Sequence, residues 1–190
     1  MNRFHNWYCH SQTWKKKLER EILPWALRDV RLGPEVLELG PGPGLTTEWL
    51  RGHCNRLTCI EVDRELATAL SRRARNSNVQ VQCGDATAMP YRDQTFSSVV
   101  CFTMLHHVPS STLQDSIFAE VHRVLKPNGI FAGTDSTSSI LMKIFHIGDT
   151  LVLIDPSDLR ARLETAGFGD VKVELGKGRF RFRARKNDQF

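Results

Sequence analysis

Apolar and polar positions along the chain fall into two alternating periods. Short apolar, β-branched runs near 35–39, 56–60, 79–83, 97–102, 129–134, 170–175 and 178–185 predict strands. Stretches with apolar positions three and four apart near 45–52, 64–75, 112–125 and 156–167 predict helices. Such alternation implies a mainly parallel sheet with helices on both faces. The last two strands are joined only by Gly176-Lys177-Gly178, too short for a crossover, so they must run antiparallel. The expected fold is therefore α/β, a three-layer sandwich on a seven-stranded, mainly parallel sheet with an antiparallel C-terminal strand. No repeat or low-complexity linker interrupts it, and one domain over 1–190 is expected. It divides into a helical cap (1–30), a core (35–135), a cap insertion (136–155) and a C-terminal helix and hairpin (156–190).

Between the first strand and its helix stands Glu38-Leu39-Gly40-Pro41-Gly42-Pro43-Gly44-Leu45, with glycine at three alternate positions. One glycine would serve an ordinary turn. Three suggest backbone, with its N–H groups, pressed against a ligand. Glu38 can brace this loop or accept from a ligand amine. Glu61 follows Gly40 by 21 residues at the end of the second strand, the spacing of the acidic residue that holds a ribose hydroxyl pair in βαβ nucleotide sites. A surface glutamate favouring the next helix dipole would look similar, but the register with the glycine loop favours the ligand. The spacing is E-x-G-x-G-x-G; a nicotinamide fingerprint would need glycine where Leu45 stands.

With these residues the chain resembles the class I S-adenosylmethionine-dependent methyltransferases, nearest their small bacterial type 11 branch. The resemblance runs through Gly84-Asp85-Ala86, Met89-Pro90-Tyr91, Thr95 to Val100, Leu105-His106-His107-Val108 and Arg123 to Phe131, covering about 35–135 in order. It implies a Rossmann-like sheet, an S-adenosylmethionine cofactor, Asp85 accepting from the adenine amine, and the Ala86 N–H near the ring. Pro41, Val62 and Thr103, with Glu38, Gly40, Gly42, Gly44 and Glu61, complete the expected cofactor wall.

Composition narrows the partners. With 41% hydrophobic and 25% charged residues the chain can bury a sizeable core. No long apolar run or basic-then-apolar leader is present, so a cytosolic protein without a membrane span is expected. The five cysteines include no C-x-x-C pair, which argues against a zinc site or disulfide framework; Cys59, Cys83 and Cys101 fall in strands as small hydrophobes. The net charge of +5 comes from residues 177–186, leaving 20 basic against 21 acidic residues elsewhere. There Arg179, Arg181, Arg183 and Arg185 alternate with Phe180, Phe182 and Ala184. That is a half-buried strand whose arginines keep a region near the sheet edge soluble, in preference to a phosphate-binding strip.

Methyl transfer needs alignment above all, because the sulfonium is already activated. A base is needed only for a protic acceptor, and His107, just past the fourth strand, is the candidate. His106, Trp7, Tyr8 and Phe145 are the expected acceptor contacts, and Trp14, Leu18, Ile22 and Trp25 a core-facing helical stripe. The start of the chain also resembles the ribosomal RNA adenine dimethyltransferases. However, Cys101-Phe102-Thr103-Met104-Leu105 replaces the Asn/Asp-Pro-Pro-aromatic or Asn-Leu-Pro-aromatic motif of amino-methylating enzymes, and no Pro-Cys pair serves cytosine C5 chemistry. A small, partly apolar acceptor is expected, with an RNA acceptor or an inactive cofactor-binding regulator as alternatives.

Overall fold

The computed structural model describes residues 11–138 and 148–187. Trp7, Tyr8 and Phe145, together with Cys9, lie outside the described residues. Helix α1 comprises Gln12–Lys17, a π-helical segment Leu18–Ile22 and Leu23–Ala26. Ser11 caps it, its hydroxyl accepting from the Trp14 N–H at 3.1 Å. Pro24 has no N–H to continue the ladder, and the Leu23 N–H reaches back to the Leu18 carbonyl, which widens this turn. Leu18 and Ile22 are buried as the stripe predicts. Trp14 is not: residues 12–17 bury nothing, because this half of the helix overhangs a cavity.

Seven strands follow: β1 (Glu35–Leu39), β2 (Arg56–Glu61), β3 (Val79–Cys83), β4 (Phe96–Phe102), β5 (Leu125–Ser136), β6 (Phe168–Gly176) and β7 (Arg179–Lys186). They form one sheet in the order β3-β2-β1-β4-β5-β7-β6. The first five are mutually parallel, and β7 runs antiparallel to both β5 and β6. Helices α2 (Leu45–Leu50), α3 (Arg64–Arg73), α4 (Ser111–Val124) and α5 (Pro156–Thr165) connect them, with a 3₁₀ turn at Leu105–His107. The central strands are continuous apolar runs because both faces are covered; Val36, Leu37, Leu39, Val99 and Val100 are fully buried. One apolar layer gathers Phe118, Phe131, Phe168 and Phe182 on one face, and a second gathers Leu23, Val36, Leu50, Leu57 and Leu70 on the other.

Three expectations are corrected. Cys83 is exposed, because β3 is an edge strand. β5 begins at Leu125, four residues early: Pro127 and Asn128 belong to an irregular entry that pairs Phe96 with Leu125 before the ladder resumes at Ser98 and Ile130. And β7 lies inside the sheet, with β6 as the edge. Three of its four arginines are engaged in the fold: Arg181 donates to the Trp25 carbonyl, Asp29 and Glu174 at 3.1, 2.9 and 2.5 Å. Arg183 reaches Asp170 and Arg185 the Asn128 carbonyl, each at 2.9 Å. The strip is a set of internal clasps.

Candidate functional site

In a parallel sheet the carboxyl ends of the strands and the loops after them share one rim, where ligands bind. Here that rim holds a cavity of about 810 Å³, within the range of small-molecule sites. Gly40, Pro41 and Gly42 after β1, Glu61 and Val62 at β2, Asp85 and Ala86 after β3, and Thr103, His106 and His107 after β4 all line it. Glu38 and Gly44 do not. Glu38 is buried behind the wall, accepting from the Thr46 hydroxyl, the Thr47 hydroxyl at 2.6 Å and the Cys59 thiol at 3.4 Å. It fastens α2 to the sheet. Burial pushes its carboxyl pKa up, while those three donors pull the other way.

The glycines divide the work. Gly44, at φ +82°, heads α2, and a Cβ there would lie 2.5 Å from Leu70 of α3; it is a packing glycine. Gly42, at φ +54°, would meet nothing within 4 Å, because it faces the cavity. The expectation that the loop offers N–H groups is corrected. Gly40 N–H donates to the Ile60 carbonyl, Gly42 N–H to Glu61 and Gly44 N–H to the Pro41 carbonyl, each at 2.9 Å, and the two prolines have none. A pyrophosphate would find no donor in this loop. What the loop can offer is carbonyl oxygen, those of Gly40 and Gly42 above all, and carbonyls suit an ammonium group. Arg73 of α3 clasps the loop from outside by donating to the Pro43 carbonyl.

Glu61, only 6% exposed, accepts from Gly42 N–H through one oxygen and from Asp63 N–H at 3.0 Å through the other. Asp63 itself caps α3, accepting from the Glu65 and Leu66 N–H groups. Val62 is 72% exposed, an apolar side chain left on the cavity wall. Asp85 accepts from the Thr87 N–H at 2.8 Å. A carboxylate for a ribose diol, an apolar plate for a base and carbonyls for an ammonium fit an aminoacyl nucleoside such as S-adenosylmethionine.

Further lining comes from Trp14, Lys17 and Leu18 of α1, from Met104, Val108 and Ile117, and from Asp149, Thr150 and Arg179, besides the two histidines. Thr103, a β-branched residue at φ +51°, starts this segment, a conformation that costs on the order of 1–3 kcal/mol and collects at functional sites. Its N–H is held by the Thr134 carbonyl at 2.8 Å. His106, 2% exposed, directs Nδ1 at Asp135 Oδ1, 2.5 Å away, and its N–H meets Oδ2 at 3.1 Å. Burial alone would raise the Asp135 pKa. The adjacent His106 ring and the Ser136 and His106 N–H groups outweigh it and hold the carboxyl below the usual range. Gln114, fully buried, donates to the Leu105 and Val152 carbonyls, and the Val152 N–H donates to the His106 carbonyl at 2.8 Å. His107 is half-buried, its ring 4.2 Å from that of His106. Sequence reasoning missed Asp135 and Gln114; an acidic residue at the end of β5 was the available signal for the first.

Comparison with known proteins agrees with this geometry. The family described as "Methyltransferase domain" matches residues 37–133. A demethylmenaquinone methyltransferase of Lactobacillus johnsonii is 26% identical, covering 87% of this chain and 79% of its own length. An uncharacterized methyltransferase of Synechocystis is 34% identical, covering 77% and 72%. Other relatives are longer, this chain spanning 55% and 35% of two of them. The crystal structure of a SAM-dependent methyltransferase from Aquifex aeolicus superposes with TM-score 0.75 at 19% identity, covering 98% and 99%. The cofactor is S-adenosylmethionine, and the chain belongs to the class I methyltransferases that use it, in the type 11 methyltransferase-domain family.

Proposed function

We propose that this methyltransferase acts on a small, partly apolar molecule. The observation that carries the reading is the make-up of the cavity wall: beside the groups suited to an aminoacyl nucleoside it includes Trp14, Leu18, Met104, Val108 and Ile117 with a few polar groups, the make-up of a small-molecule site. When bound, S-adenosylmethionine supplies a methyl group on a sulfonium that leaves as a neutral thioether. The protein's part is placement. Glu61 holds the ribose hydroxyls, Asp85 and Ala86 the adenine edge, Val62 its face, and the Gly40–Gly42 carbonyls the ammonium. Thr103 and Met104 line the same cavity. Trp7, Tyr8 and Phe145 are proposed as further contacts of the acceptor. The similarity to a demethylmenaquinone methyltransferase favours an acceptor with apolar character.

The engagement of Arg181, Arg183 and Arg185 by partners within the fold speaks against an RNA acceptor. The test has two steps. Calorimetry should show S-adenosylmethionine and S-adenosylhomocysteine binding, and no NADH binding. Radiolabelled methyl should then enter the small-molecule fraction of a cell extract. Label lost on nuclease treatment, with strongly salt-dependent transfer, would assign RNA as the acceptor. Binding without transfer would leave a regulatory module.

A further inference from the structure

We infer that His106, held by Asp135, is the general base of the reaction, and that the acceptor therefore belongs to the protic class, an O–H or C–H acid such as a phenol, enol or activated methylene. The inference rests on the methyltransferase reading and moves the base from His107, the residue favoured by sequence, to its neighbour. The deciding feature is orientation. His106 is almost fully buried and fixed at both ends of its residue: the ring by Asp135 at 2.5 Å, the backbone by Asp135 and Val152.

A carboxylate is only an acceptor, so the nitrogen facing an ionised Asp135 must carry the proton. The depressed Asp135 pKa agrees with an ionised group. The proton-exchanging nitrogen is then Nε2, in a residue that lines the cavity. An aspartate that sets the tautomer and steadies the imidazolium is the arrangement that makes a histidine an efficient base. An amine acceptor attacks as the neutral base and sheds its proton afterwards, and a thiol ionises readily near neutral pH. Neither requires a base fixed in this way; a hydroxyl or C–H acceptor does.

The step balances. As the acceptor's proton passes to His106 Nε2, the electron pair it leaves behind forms the bond from oxygen or carbon to the methyl carbon. The methyl–sulfur pair stays on sulfur, and the proton later leaves His106 for water. Other charged groups lining the cavity are His107 of the same turn, Lys17 of α1, Glu61 and Asp63 at the end of β2, Asp85 after β3, Asp149 before α5 and Arg179 of β7. Asp135 acts through the ring and is a positioning residue.

Two readouts test this, one independent of turnover. Long-range proton–nitrogen spectra of the purified protein with S-adenosylhomocysteine should show His106 in the Nδ1–H tautomer, and Asp135→Asn should abolish that preference. His106→Asn retains a donor near the Nδ1 position and deletes Nε2. It should lower labelled methyl transfer into the small-molecule extract fraction by 10²- to 10⁴-fold, the usual weight of general base catalysis, with S-adenosylhomocysteine affinity within about twofold. The label should sit on oxygen or carbon in the product. An Nε2–H tautomer in the unaltered protein, transfer in His106→Asn within threefold of the parent, or His107→Gln proving the more damaging would overturn the assignment. Label on sulfur or amine nitrogen would overturn the acceptor class. Failure of the parent protein to bind S-adenosylhomocysteine would instead sink the methyltransferase reading, leaving the tautomer to be judged from the spectrum of the ligand-free protein.

Discussion

Replacing Glu61 by glutamine isolates the cofactor assignment with little change of shape. An ionised carboxylate has roughly four acceptor positions. In Glu61 one is used by the Gly42 N–H at 2.9 Å and one by the Asp63 N–H at 3.0 Å, which leaves room for the two hydroxyls of a ribose. Glutamine removes the charge and turns one oxygen into a donor that faces another donor. A hydrogen bond to a charged group contributes about 1.5–3 kcal/mol. At about 1.4 kcal/mol per tenfold, S-adenosylhomocysteine should bind on the order of tenfold to a hundredfold more weakly. Bracing of the loop and contact with the ligand could each produce such a loss, and a cycle with the 2′-deoxyribose analogue separates them. If Glu61 holds the hydroxyl, the parent protein should lose roughly tenfold or more on going to the analogue, and Glu61→Gln should lose little further. Equal losses in both proteins, or an unchanged affinity for S-adenosylhomocysteine in the variant, would refute the ribose assignment.

The two loop glycines should fail differently. Gly44→Ala, driven against Leu70 at 2.5 Å, should cost about 1–3 kcal/mol of stability, seen as a fall in Tm. Gly42→Ala meets open space and should cost about 1–2 kcal/mol from its left-handed backbone, its larger effect being on cofactor affinity by calorimetry. Glu38 has a raised folded pKa, so its contribution is greatest below the ordinary carboxylate range and is lost as pH rises through the folded value. The Tm of Glu38→Gln relative to the parent should therefore improve steadily from about pH 4 towards pH 8, and a constant difference would rule out the burial argument. Arg181→Met should lower Tm by several degrees, because its bonds to Trp25, Asp29 and Glu174 clasp α1 to the sheet. An unchanged Tm would show that the clasp contributes nothing.

Much of the fold was legible because its signals are local. Continuous apolar runs located β1, β2 and β4, and a three-residue connection dictated the β6–β7 hairpin. What it could not show was where that hairpin docks: alternating arginines on β7 read like a wet surface, and only tertiary contact reveals Asp29, Asp170 and Glu174 waiting for them. At the site, the placement of Gly42, Glu61 and Asp85 on one rim followed from spacing and the geometry of parallel sheets. The roles of Glu38 and Gly44 did not, since bracing and packing residues share a motif with the ligand wall. His106 and His107 are adjacent in sequence and equivalent by composition. Their difference comes from Asp135, 29 residues away on β5.

The place of β7 between β5 and β6 bears on the order of assembly. β6 joins the sheet only through β7, so the two strands can form as a local hairpin but must then dock together across a gap of about fifty residues to reach β5, where Ile130 pairs with Arg185 and Asp135 with Phe180. Contacts of such long sequence separation form slowly, because loop closure precedes their reward. Until then β5 presents an unpaired edge, and the backbone that carries Asp135 is unsupported on one side. The cofactor rim, built from the ends of β1 to β3, can be complete earlier. The molecule should thus pass through a stage that binds its cofactor before it can catalyse, with the docking of the final hairpin setting both the close of folding and the onset of turnover.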